Sequence, residues 1–344
     1  MRLPLHPPIL PMEALSVDEI PVGPEWQYEP KWDGFRCTAF RDGESVELQS
    51  KSGQPLARYF PEMVAAVAAL PIERCILDGE LVIPTNGAFS FDVLLQRIHP
   101  AASRVSKLAD ESPAMFIAFD LLADDAGSLL DLPLAQRRKR LEAFASRAFT
   151  GAERIRLSPA TTKIADAQGW LKRVGATLDG IIAKRLDLPY GPGQRDAMQK
   201  IKNYRSADCV VGGFRYATAK PVVGSLLLGL YNDEGLLDHV GFTSGIAVGE
   251  RAALTKKLEA LVAPPGFTGK SPGGPSRWST KRSSEWPPLK PRLVVEVSYD
   301  HFSGDRFRHG TRILRWRPDK EPRQCSLDQV HQKKATLMRL LASK

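Results

Sequence analysis

Lys31 stands two positions before Asp33-Gly34, and Arg36 follows the glycine by two positions. A lysine amine is a nucleophile only when neutral, so a lysine used this way must have its pKa drawn down from near ~10. Nearby cations and partial desolvation do this. Lys200 and Lys202 are candidates to supply the charge. Two apart on a strand, they share one face, and such a pair needs an anion, for which a phosphate is the obvious choice. A solvated strand face is the plain alternative. Carboxylates recur in similar settings. Glu80 directly follows Asp78-Gly79 between two apolar stretches, and Asp179-Gly180 opens an apolar run ending in Lys184 and Arg185. A basic stretch closes at Arg317-Pro318-Asp319-Lys320. A lone K-x-D-G string arises by chance in roughly one chain in ten of this size, so its weight comes from the series.

In order and spacing, the strings around Lys31, Asp78-Gly79-Glu80, Phe119-Asp120-Leu121-Leu122, Asp179 to Arg185, Lys200-Ile201-Lys202 and Arg317 to Lys320 resemble the ATP-dependent DNA ligases. These are covalent nucleotidyltransferases, and the stand-alone bacterial LigC type and the ligase module of LigD are the nearest in pattern. The resemblance runs from about Pro8 to Gln329. It implies that Lys31 takes AMP from ATP, that AMP passes to the 5′-phosphate of a nick, and that the 3′-hydroxyl then displaces it. Lys31, Asp33, Lys200 and Lys202 become the catalytic set. Glu29, Arg36, Lys51, Glu80, Phe119, Lys184, Arg317, Asp319 and Lys320 become the nucleotide-binding set. Glu80 and Asp179 become ligands for Mg²⁺ or Mn²⁺. Nicked duplex DNA is the implied partner, with Ku or another repair protein as a further one. An RNA ligase or related nucleotidyltransferase shares these core strings and stays open.

Each assignment has a structural competitor. Asp33-Gly34 forms a tight turn, with Gly34 expected to let the backbone approach the nucleotide. Arg36 matches the arginine that holds a phosphate through its fork, or it forms a surface ion pair. Phe119 matches the aromatic that stacks on adenine, but a Phe within the apolar run 115–122 is core by default. Lys184 and Arg185 alternate, so both cannot face the nucleotide. Asp319 and Lys320 match the residues that touch the β- and γ-phosphates during charging, and a basic DNA-binding strip would look similar. Two positions depart from the family pattern. Asp179 replaces the usual glutamate and is one methylene shorter. Lys51, in Ser50-Lys51-Ser52-Gly53, replaces an arginine that contacts the nick 5′-phosphate and cannot make its fork.

The net charge is +9, and it is unevenly placed. From Arg205 onward there are 23 Lys and Arg against 13 Asp and Glu, and before it 25 against 26. A neutral first part and a basic second part suit a catalytic body joined to a module that holds a polyanion. The four cysteines form no C-x-x-C pair, which argues against a zinc knuckle and for a reducing cytoplasmic setting. No apolar run is long enough for a membrane span, and no signal peptide is evident. A soluble monomer is expected.

Two domains are the default at 344 residues. Residues 1–25 read as an extended lead-in broken by prolines. Strands are expected at 26–29, 35–40, 46–48, 75–83, 115–122, 181–183 and 198–201, and helices at 59–70, 134–144 and 164–174. From 205 the pattern becomes all-β. Strands at 209–216, 225–231 and 237–242, a helix at 248–262, then strands at 292–299 and 311–316 follow the order of an OB-fold. Residues 264–291, rich in Gly, Pro and Ser, read as a long surface loop, a candidate for closing around DNA. The expected fold is an α+β nucleotidyltransferase (adenylation) domain over 1–204 followed by an all-β OB-fold domain over 205–344.

Overall fold

The computed structural model describes residues 2–174, 178–218, 220–273, 285–331 and 337–342. It divides the chain into two units: Met1–Asn203 with Lys334–Lys344, and Tyr204–Lys333. The first unit therefore takes back the end of the chain, which the sequence reading had placed with the second. The cause is apolar: Leu337 and Leu340 are buried in a core cluster of the first unit, among Trp26, Ile181 and Trp170.

The first unit's main strands are β1 (Leu15–Val17), β2 (Trp26–Lys31), β3 (Phe35–Asp42), β4 (Ser45–Ser50), β5 (Arg74–Val82), β6 (Met115–Asp124), β7 (Ile155–Leu157), β8 (Gly180–Arg185) and β9 (Met198–Lys202). They form two sheets. One runs β1-β9-β8-β2, and the other β7-β6-β5-β3-β4, with the short strand Gly127–Ser128 paired to β6. The pairs β1/β9 and β7/β6 are parallel, and the other pairs on these two paths are antiparallel. Only Trp32, Asp33 and Gly34 separate β2 from β3, so this tripeptide carries the chain from one sheet to the other.

Alternation sorts the side chains. On β2, Trp26 and Tyr28 enter a core completed by Ala167 and Trp170 of the helix Ile164–Val174. Gln27, Glu29 and Lys31 must then face the other way. The second sheet buries Cys37, Ala39, Leu77 and Phe116 against Met63 and Val67 of the helix Pro61–Ala68, and against Leu141 and Phe144 of the helix Leu134–Ala148. Its opposite face is covered by Leu3 and Met12 of the N-terminal segment, packed with Phe40, Ile76 and Leu122. With both faces covered, β6 is apolar along most of its length, and β5 is apolar on either side of Asp78-Gly79-Glu80. The N-terminal segment is not a loose lead-in, since it contributes β1 and exchanges hydrogen bonds between Ile9 and Gln49. Two helices not expected from the sequence, Phe91–Gln96 and Ala102–Glu111, also lie in this unit.

The second unit is a five-stranded antiparallel sheet of β10 (Arg205–Tyr216), β11 (Val223–Tyr231), β12 (Leu237–Thr243), β13 (Val294–Tyr299) and β14 (Arg312–Trp316), ordered β12-β11-β10-β13-β14. A parallel bridge between Thr243 and Thr311 joins the two end strands, and Thr243 Oγ1 donates to the Thr311 carbonyl at 2.8 Å. The helix Arg251–Glu259, shorter than expected, falls between the third and fourth strands. This is the order and closure of an OB-fold. The 264–291 segment is not simply a surface loop. Phe267 and Leu289 are buried in the barrel core, and Trp286 packs against it. Residues 274–284 of that segment lie outside those described, and with them much of the expected DNA-closing loop.

Candidate active site

One cavity of about 210 Å³ in the first unit is lined by Glu13, Glu29, Lys31, Arg36, Lys51, Glu80, Phe119, Lys184 and Lys200, among others. Its floor follows from register. Gly180 lies opposite Lys31 and Lys202, Ile182 opposite Glu29 and Lys200, and Lys184 opposite Gln27 and Met198. Same-face positions on three adjacent strands thus put Glu29, Lys31, Ile182, Lys184, Met198 and Lys200 on one surface. The other wall comes from the second sheet, where Arg36 and Glu80 are cross-strand neighbours.

Lys31 forms an ion pair with the buried carboxylate of Asp179. Gly180, next along the chain, lets β8 pair closely with β9, because a Cβ there would collide with the Ile201 carbonyl. A Cβ on Gly34 would strike the Leu81 carbonyl, with Glu80 Cγ at 2.9 Å, so glycine is required for β3 to start against β5.

Glu29 and Lys184 are both buried and meet at 2.9 Å. Gln27 Nε2 donates to Glu29 Oε1 at 2.8 Å, and Lys184 Nζ donates to the Phe119 carbonyl at 3.2 Å. As alternation requires, Lys184 faces the cavity while Arg185 pairs outward with Asp187.

Phe119 resolves its own ambiguity through a bulge. Asp78 pairs with Asp120 and Gly79 with Ala118, leaving Phe119 as the extra residue on β6. The ring leaves the core and lines the cavity between two cations, with Lys184 Nζ at 4.6 Å and the Arg36 guanidinium at 5.3 Å from its centroid. Asp120 points elsewhere and holds Arg137 at 3.0 and 3.1 Å.

Arg36 departs from expectation. The fork assigned to a phosphate is closed on Asp78 at 3.0 and 2.6 Å, and Nη1 donates to the Met12 carbonyl at 2.7 Å. Tyr190 completes the lock, donating to Asp78 at 2.7 Å and accepting from Met12 N at 3.0 Å. Arg36 therefore fixes the cavity wall and the N-terminal segment, offering Phe119 its planar face. Burial lowers the Arg36 guanidinium's pKa, and the contact with Asp78 more than reverses this, leaving it raised.

Electrostatics sharpen the picture. Burial pushes the Glu80 carboxyl up to about 8; Lys31 and Arg36 oppose this, and Asp33 and Asp78 add to it. Lys200 is drawn below the ordinary lysine range, first by burial and then by Lys31, Lys51 and Lys202, with Glu13 opposing. A buried carboxyl crowded by other acids fits a divalent cation, which would stabilise its charged form. Asp33 and Asp179 bring carboxylate oxygens within 4.8 Å of each other, and these two acids, with Glu80 in the field of Asp33, are the residues that fit it.

Lys202 is half-buried opposite Gly180 but does not line the cavity. Arg317, Asp319 and Lys320 lie in the second unit. Arg317 bridges Asp208 at 2.9 Å and Asp319 at 2.8 Å, and Lys320 reaches Asp208 at 3.6 Å. Hydrogen bonding from Arg317 holds the Asp319 carboxyl near 2. Sequence reasoning missed Gln27, Asp78, Tyr190 and Asp208 as supports. Only Asp78, inside the quoted D-G-E, carried any local signal.

Comparison with known proteins gives the family. Residues 11–202 match the model of the ATP dependent DNA ligase domain, and residues 219–320 match the ATP dependent DNA ligase C terminal region. DNA ligase C2 of Mycolicibacterium smegmatis and DNA ligase C of Mycobacterium tuberculosis are each 45% identical, over 96% of this chain and 96% of theirs. The solved structure Pmar-Lig_PreS3 is similar with a TM-score of 0.60 over 90% of this chain and 68% of that one, at 16% identity, a likeness of fold alone. Matched across more than half its length by one family model and along nearly all of it by these mycobacterial relatives, the chain belongs to the ATP-dependent DNA ligases.

Proposed function

We propose that this ligase seals 3′-hydroxyl/5′-phosphate nicks in duplex DNA through AMP carried on Lys31. The observation that supports the reading best is the shared face of β2, β8 and β9. It sets Lys31, which pairs with Asp179, and a second, partly desolvated lysine around one cavity walled by Phe119.

In this account ATP enters with adenine against Phe119, near the Glu29–Lys184 pair. The ammonium of Lys31 has no lone pair while it sits on Asp179, so attack requires that pair to open and the proton to leave. Lys200 faces the same space and suits the α-phosphate. The Lys31 amine attacks the α-phosphorus, the bond to the β-phosphate breaks, and pyrophosphate departs. A 5′-phosphate oxygen then attacks the same phosphorus, cleaving the lysine bond, and the 3′-hydroxyl finally displaces AMP. Glu80 and Asp179 would hold Mg²⁺ or Mn²⁺, which neutralises phosphate charge when bound. Asp319 and Lys320 serve the charging step, when the β- and γ-phosphates are present.

A repair role and a cytoplasmic location are part of the proposal. The four cysteines are free and buried, as a reducing compartment requires, and among the described residues no helix is long and apolar enough to cross a membrane. No feature of the described residues points to Ku or to self-association, and a monomer acting on nicked DNA is the simplest form. Ligation of nicked DNA against nicked RNA, with ATP or GTP, tests the substrate. Sealing of DNA with ATP is expected, and preferential sealing of RNA would contradict the reading.

A further inference from the structure

At the mouth of the cavity one carboxylate joins three distant parts of the chain. Glu13 Oε1 lies 3.0 Å from Lys51 Nζ, and Glu13 Oε2 accepts from Arg195 Nε at 2.7 Å. The arrangement is anchored by backbone as well. Glu13 N donates to the Gln194 carbonyl at 2.7 Å, and Gly193 N donates to the Pro11 carbonyl at 3.3 Å. Both cations are largely exposed, at 59% for Lys51 and 66% for Arg195, so neither is needed to balance a buried charge. Lys51 and Glu13 line the cavity, and both act on Lys200 across it. Lys51 stands where the family pattern has an arginine. The structure supplies a guanidinium beside it from a loop far away in sequence.

We infer that Lys51 and Arg195 form a phosphate clamp at the cavity mouth, with Glu13 as its built-in placeholder. Two cations bridged by the two oxygens of one carboxylate are spaced for two oxygens of a phosphate. The point charge comes from Lys51 and the planar donor from Arg195. A phosphate entering the clamp must displace Glu13, so Glu13 competes with substrate and screens the cations until it arrives. The phosphate belongs either to the nucleotide or to the DNA strand. The inference rests on the ligase reading above.

The test measures two steps in wild type, Arg195→Gln and Glu13→Gln: lysyl-AMP formation against ATP concentration, and sealing of a pre-adenylated nick against DNA concentration. Arg195→Gln should raise KM roughly tenfold, the worth of about one charge-assisted hydrogen bond, in one step. A rise for ATP assigns the clamp to the nucleotide, and a rise for DNA assigns it to the strand. Glu13→Gln should lower KM in that same step, and Arg195→Lys should restore part of the loss. Unchanged KM for both steps in Arg195→Gln would overturn the clamp. So would a KM in Glu13→Gln that rises or stays fixed, because the bridge would then be scaffold. Absence of AMP on Lys31 in wild type would contradict the ligase reading instead, and nicked-DNA binding by the same variants would still read the clamp.

Discussion

The cavity of the first unit and the Arg317–Lys320 cluster of the second both gather opposite charges, but by different means. In the cavity the pairs span the chain: Lys31 with Asp179, Glu29 with Lys184, Arg36 with Asp78. At least one partner of each is buried, and sheet register fixes the geometry. In the barrel, Arg317 and Asp319 are two residues apart and Asp319 is exposed, with Asp208 as the distant anchor. Low dielectric makes the first set stiff and costly to break. Solvent makes the second set cheap to rearrange. A site that must hold a reacting phosphorus needs the former, and a group used in one step and then released suits the latter.

The largest effect should come from Glu80 in the cavity and from Asp179, the acid paired with Lys31. Asp179→Ala and Glu80→Ala should each reduce nick sealing by at least ~10²-fold, as lost charge stabilisation in a phosphoryl-transfer site does. Asp179→Glu should retain activity, since the longer acid is the usual residue in the family pattern this chain resembles. Sealing rates in Asp179→Ala equal to wild type would remove the cavity's acids from the chemistry.

Next is stability. Lys184→Met leaves Glu29 charged and buried without its partner, and should cost about 3–5 kcal/mol by denaturant titration. A Glu29→Met, Lys184→Met double variant should recover much of that, while Asp319→Ala should leave the midpoint unmoved. Equal losses at both places would erase the contrast.

The two regions should also respond to pH with opposite sign. Glu80 is held up to about 8 in the folded protein. The folded state therefore keeps a proton that the unfolded chain loses from its ordinary range upward. Its contribution is full in acid and is lost as pH rises toward 8. His239, buried beside Arg306 and Arg215 in the barrel, is pushed down to about 3. Its contribution is full above about 6.5 and is lost as pH falls toward 3. Hydrogen exchange across pH 4–8, with and without a divalent ion, should show the first unit loosening with rising pH and the barrel with falling pH. Glu80→Gln should flatten only the former.

The smallest predicted effect separates reaction steps. An Asp319→Ala, Lys320→Ala variant should charge with ATP slowly yet seal a pre-adenylated nick at close to the wild-type rate. Equal loss on both substrates would place these residues with DNA or with the fold.

What was legible in the chain was local. Lys31, Glu80 and Asp179 each sit in a short string with its own glycine, and strand alternation correctly set Lys184 against Arg185. What was not legible depends on partners brought in by register or by loops. Nothing near Arg36 reveals that Tyr190 and Met12 lock its fork onto Asp78. The direction of Phe119 hangs on a one-residue bulge, which no period of two can announce. The helix Ala102–Glu111 buries only Val105 and Ala109, so little in its string announces a core-facing element even though its few apolar residues share one face. Leu337 and Leu340 returned to the first unit because its core, rather than their place in the chain, offered burial.

The central claim is that Lys31 is the residue that carries AMP. Intact-mass analysis after incubation with ATP and Mg²⁺, followed by peptide mapping and a chase with nicked DNA, tests it most directly. The account predicts one added AMP on the peptide holding Lys31, lost on addition of nicked DNA and absent in Lys31→Ala. An adduct that persists in Lys31→Ala, or that maps to another lysine, would contradict it.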